Sequence, residues 1–217
     1  MDFKINVFIA DLTAGAILVV RNSVRLVFQP YATMRTLAKR NNNFEVGLIW
    51  AAVFVYCLYA TRVRLSHIHA LVISSSSLRM FLFFLFTFHV AYGFMYGIGK
   101  LLEKAEHTHP VDWSSYRLLV SYTLIPTLLW FFITSTLYLI FPPPRFPTPL
   151  GFMYSLIFIS FSSALLLWKL VLWYLALRFG LRARFTTIVG IMVLFALWFV
   201  PYSLLMYHFG IFRIPLL

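Results

Sequence analysis

Apolar residues in this chain come in long runs, not in the alternation of a strand or the narrow stripe of a surface helix. Five runs stand out, at 46–61, 80–99, 118–141, 152–173 and 185–208. Crossing about 30 Å of hydrocarbon takes about 20 mostly apolar residues in a helix. The first run is short and relies on Arg62 and Arg64 to reach the boundary by snorkelling. With no water in hydrocarbon, backbone polar groups must pair within their own segment, so the runs predict helices. The pattern therefore predicts an all-α polytopic membrane helix bundle, with five transmembrane helices over 46–217.

The first 45 residues read differently. Residues 5–20 are apolar but number only sixteen and contain Asn6, Asp11 and Thr13. A charge at mid-span costs a few kcal/mol, so this segment is expected to lie at the cytoplasmic interface, with a sixth span as the alternative. Pro30 suits a helix start. Residues 31–40 then form a basic interfacial helix offering Arg35, Lys39 and Arg40 to lipid phosphates, ended by Asn41, Asn42 and Asn43. Residues 141–149 carry five prolines in nine positions, which predicts a stiff extended connector.

Composition sharpens this. The chain is 62% hydrophobic and only 11% charged, less than half the share of a soluble chain. Its formal charge is +12, but the cations flank apolar runs instead of forming a water-facing stripe, so nucleic acid is not the expected partner. Five spans place thirteen Lys and Arg on the side of the N-terminus and five on the other. By the positive-inside rule the N-terminus is cytoplasmic and the C-terminus outside. The expected location is the cytoplasmic (inner) membrane. No removable signal peptide or lipidation motif is expected. The single Cys57 excludes an internal disulfide and a multi-cysteine metal site.

Several residues are of types that carry chemistry or close packing. Gly93 and Gly97 have the GxxxG spacing that lets helices approach closely. Ser155, Ser162 and Lys169 recur every seven residues, nearly one helical face; this stripe is expected to pack against protein, with Lys169 at the cytoplasmic boundary. With His89, an ionisable group at mid-span, the same residues would line a polar path if the protein were a permease. Glu106, His107, His109 and Asp112 are metal-capable types, but their spacing matches no zinc-protease pattern. No phosphate loop and no nucleophile elbow occurs. Neither catalysis nor a cofactor is expected. Pro126 and Pro201 interrupt the third and fifth runs; Pro126 lacks the donor for the carbonyl of Tyr122, so a kink falls beside that phenol.

Three features together resemble the Yip family of five-span membrane proteins. They are the lead at 28–33 (Phe-Gln-Pro-Tyr-Ala-Thr), the tyrosine-then-proline pattern of Tyr122 and Pro126, and the basic link between the last two helices from Trp168 and Lys169 to Arg178, Gly180 and Arg182. The resemblance implies a helical bundle with a cytoplasmic N-terminus and an exoplasmic C-terminus. Eukaryotic members bind Rab-type GTPases and act in vesicle traffic. This chain lacks their long N-terminal region and its Asp-Leu-Tyr-Gly-Pro signature, so it looks more like the compact prokaryotic members. The expected function is a non-enzymatic scaffold or adaptor in membrane organisation or trafficking, working with anionic lipids and a protein partner or second copy. The alternative is a small permease or an accessory subunit of a transport or respiratory complex.

Overall fold

The computed structural model describes residues 2–40, 42–64, 75–106, 113–140 and 149–208. Helices take up nearly all of them: α1 (Asp2–Phe28), α2 (Pro30–Leu37), α3 (Asn43–Arg64), α4 (Ser75–Glu106), α5 (Trp113–Tyr122), α6 (Leu124–Ile140), α7 (Pro149–Gly180) and α8 (Phe185–His208). No strand occurs among the described residues. Five stretches are long and apolar enough to cross a membrane: Asn43–Val63, Ser77–Leu101, Trp113–Leu137, Gly151–Gly180 and Phe185–Met206. The third combines α5 and α6. The chain is an all-α bundle of the multi-pass membrane type. The proline connector at 141–148, His67, His69, His107, His109 and Asp112 lie outside the described residues.

The helices outrun the apolar runs that announce them. Helix α3 starts at Asn43 instead of residue 46, and α7 continues to Gly180, seven residues past Trp173. Hydrocarbon thickness limits the apolar stretch, whereas backbone hydrogen bonding continues through the interface until a cap or breaker intervenes.

Contacts between helices fix the order of the ends. Gly99, late in α4, faces Leu181 just after α7, and Gly180 faces Tyr116 early in α5. Tyr31 of α2 meets Phe179 edge-on at 5.1 Å. At the other end Thr87, early in α4, is hydrogen-bonded to Tyr202, late in α8, at 3.0 Å. Tyr59 of α3 pairs with Thr136 of α6 at 2.9 Å. The starts of α3, α5 and α8 thus share one end with the finishes of α4 and α7.

Helix α1 is one unbroken helix, longer than the 5–20 segment expected. Gly15, Asn22 and Leu26 are buried and Val19 is half-buried, so the spacing of 4, 3 and 4 defines a single face. Gly15 lets the helices approach closely: a Cβ there would stand 2.5 Å from the Phe44 ring and 2.9 Å from Leu48, so those side chains would have to shift. Asn22 reaches Glu45, only one residue along α3 from Phe44. Helix α1 therefore meets the first turns of α3 along the stretch from Gly15 to Asn22. Its far face exposes Ile17, Val20, Val24 and Val27, with Arg21 and Arg25 exposed on one flank. A helix with bundle, apolar and cationic sectors suits a membrane interface.

Helix α2 starts at Pro30 and ends at Leu37. The expected helix ran three residues further, but Lys39 and Arg40 follow in a turn held by their N–H groups on the Thr36 and Leu37 carbonyls. The interior of the bundle is aromatic and aliphatic. Trp50 gathers Phe81, Phe84 and Phe88 along the α3–α4 seam, with ring centroids 6.2, 6.3 and 4.9 Å away. Such packing, more than escape from water, holds helices together in lipid.

Candidate functional site

Pro126 supplies no N–H, so the carbonyl of Tyr122 loses its usual partner and the helix breaks between α5 and α6 at Thr123. The break is capped locally. The Thr123 backbone N–H and hydroxyl both donate to the Val120 carbonyl, at 3.0 and 2.7 Å. The Tyr92 hydroxyl pairs with the Thr123 hydroxyl at 3.0 Å and ties the break to α4.

At that break the Tyr122 phenol points to α3. Its O–H donates to a carboxylate oxygen of Glu45 at 2.5 Å. The Asn22 amide of α1 donates to the Tyr122 oxygen at 3.1 Å and lies 3.4 Å from the same carboxylate. The Asn42 amide donates to the other Glu45 oxygen at 3.0 Å, while its own oxygen accepts the Phe44 N–H at 3.0 Å. Asn42 is therefore the N-cap of α3, and Glu45, three residues on, accepts from its side-chain amide. Glu45 is 0% exposed, and so is Tyr122. A carboxylate out of water needs donors; this one has two amides, a phenol and the positive end of the α3 dipole. It joins α1, α3 and the α5–α6 break in a single knot. Beside it, the Arg117 guanidinium donates to the Asn43 side chain.

A second polar centre lies between α6 and α7. The Trp130 indole N–H donates to the Ser162 hydroxyl at 2.7 Å. Next to this bond a lateral cleft is lined by Pro126, Thr127, Ser162, Leu165 and Lys169. The Thr127 side chain is buried, and its hydroxyl has no hydrogen-bond partner among the described residues. The Lys169 ammonium lies 5.3 Å from the centre of the Trp173 ring, a cation–π contact. Counted along the helix, Lys169 stands about 16 Å before the end of α7 at Gly180.

The four residues of the polar path do not meet. Ser162 and Lys169 share the cleft. Ser155 is exposed and donates to the Gly151 carbonyl of its own helix at 3.0 Å. His89 is exposed on α4, with Nδ1 2.8 Å from the Leu85 carbonyl and its ring stacked on Trp50 at 5.5 Å.

Gly93 and Gly97 also differ from a close-packed pair within the chain: a Cβ at either would meet nothing within 4 Å. Close approaches occur instead at Gly15, Gly99 and Gly180. Pro201 is exposed, and α8 continues helical through it. Arg35, Lys39 and Arg40 are all exposed, whereas Thr33, Met34 and Leu37 of α2 turn inward. Among the described residues no three His, Cys, Asp or Glu side chains come together to hold a metal.

Sequence reasoning missed Glu45, Asn22, Asn42 and Thr127. The Asn42 and Glu45 spacing was a readable helix-start signal. Nothing local pointed to Asn22, and nothing local paired Tyr122 with Glu45, which lies 77 residues away. Comparison of the chain with protein-family models, with curated proteins and with solved structures finds no match.

Proposed function

We propose that this chain is a non-enzymatic scaffold or adaptor of the cytoplasmic membrane, of the compact Yip-like kind, with its N-terminal helices on the cytoplasmic side. The observation that carries this reading is a cationic platform anchored to one end of the bundle. Arg35, Lys39 and Arg40 are exposed around α2, and the opposite face of α2 packs on α7 and α5. Arg21, Arg25, Arg178, Arg182 and Arg184 are exposed too, on α1 and around the link from α7 to α8 at that end. A platform fixed by buried Met34 and Leu37 holds its charges at one height against the bilayer, which a loose basic tail cannot do. Anionic lipid is the natural counterpart of such a surface, and a partner protein or second copy would be recruited beside it.

The test uses the full chain in nanodiscs of neutral lipid and follows its co-flotation with phosphatidylglycerol vesicles. Each neutralised cation near an anionic surface removes about 1 kcal/mol. Changing Arg35, Lys39 and Arg40 to Gln together is therefore expected to weaken vesicle association roughly a hundredfold at low salt, and added salt should weaken the wild type likewise. Unchanged association of the triple variant removes the support for the platform.

A further inference from the structure

The α6–α7 cleft offers donors without acceptors to match. Lys169 contributes an ammonium. Thr127 contributes a buried hydroxyl without a partner among the described residues. The Ser162 oxygen accepts from Trp130, which leaves its own proton to donate. The one carboxylate among the described side chains, Glu45, is already held by Tyr122 and Asn42. Donors that line one cleft with a cation suit an oxyanion better than a metal or an amine.

Access decides what kind of oxyanion. The cleft residues lie within the spans Trp113–Leu137 and Gly151–Gly180, so a ligand arrives through lipid. The outer surface of α7 beside it is apolar and exposed at Leu156, Ile159, Leu166 and Leu170, a bed for an acyl chain. We propose that the α6–α7 cleft is a binding site for the oxyanion head of an acyl-chain amphiphile, a carboxylate or a phosphate, held by Lys169, Thr127 and Ser162. The site is distinct from the cationic platform and does not depend on it.

The experiment is native mass spectrometry of the delipidated full chain in mild detergent. It is titrated with oleic acid, dioleoyl phosphatidic acid, dioleoyl phosphatidylcholine and inorganic phosphate. A one-to-one adduct with oleic acid, phosphatidic acid or both is expected, and which of them binds identifies the head. Phosphatidylcholine and inorganic phosphate should give none. Lys169→Met should weaken the adduct roughly tenfold or more, and near-isosteric Thr127→Val several-fold, since charged and neutral hydrogen bonds differ in that order. The Gln variant of Arg35, Lys39 and Arg40 should keep the adduct while losing vesicle association, so the two proposals fail separately. No acidic-amphiphile adduct with the wild type, equal binding by Lys169→Met, or equal binding of phosphatidylcholine overturns the site. Inorganic phosphate binding as well as the lipids overturns the requirement for an acyl chain.

Discussion

Removing one atom, the phenol oxygen of Tyr122, tests the buried knot directly. Phe at 122 keeps the ring in its fully buried place but leaves the Glu45 carboxylate without the donor now 2.5 Å away. A hydrogen bond to a charged group is worth about 1.5–3 kcal/mol, and Tyr122→Phe should destabilise the protein by about that much in thermal unfolding in detergent. Asn22→Ala and the double variant complete a cycle. Because Asn22 donates to both Tyr122 and Glu45, the two losses should be less than additive; strict additivity would mean that the residues do not act together. Tyr122 and Pro126 were legible beforehand because a proline acts on the residue four before it, a rule local to one helix. Glu45 was half legible, three residues after the asparagine that caps α3. Its burial was not, since burial is decided by α1 and α5 closing over it.

Among the elements, glycine separates contacts made within the chain from surfaces left open. At Gly180 a Cβ would stand 2.7 Å from Cδ2 and 3.3 Å from the Cα of Tyr116, a residue with 0% exposure and no room to yield. Gly180→Ala should cost about 1–3 kcal/mol, the usual effect of overpacking. Gly97→Ala meets nothing within 4 Å and gains helix propensity of up to about 1 kcal/mol, so unfolding of the dilute protein should shift upward or stay level. If Gly97 packs on a second copy, the same variant should lower stability only at high protein concentration. The sequence marked Gly93 and Gly97 by spacing alone, whereas Gly99 and Gly180 act through helices more than sixty residues distant in sequence. Spacing shows which face carries a small residue, and only the partner's approach shows whether that face is used.

At the scale of the molecule the open matter is which end of the bundle faces the cytoplasm. Buried Cys57 can be replaced by Ser, leaving a background for single cysteines at Arg35 and at His208, exposed positions at opposite ends. A membrane-impermeant maleimide should label His208→Cys in intact cells and reach Arg35→Cys only after the membrane is opened. The reverse pattern would place the platform outside and overturn the proposed orientation.

Hydrocarbon thickness and the cost of unpaired backbone groups act on each stretch of sequence separately, which is why the sequence alone determined an all-helical chain with five membrane-length segments. The expectation that residues 5–20 lie at the interface also came from a local fact, Asp11 in so short an apolar run, and the full length of α1 was not legible there. Tertiary structure decided what depends on chain segments meeting. It buried Glu45 under Asn22 and Tyr122, parted His89 from Lys169, left Gly93 and Gly97 open, and set Lys169 beside Thr127 in a cleft. These outcomes follow from side-chain shape and helix crossing over tens of residues, and no single stretch of the sequence contains them.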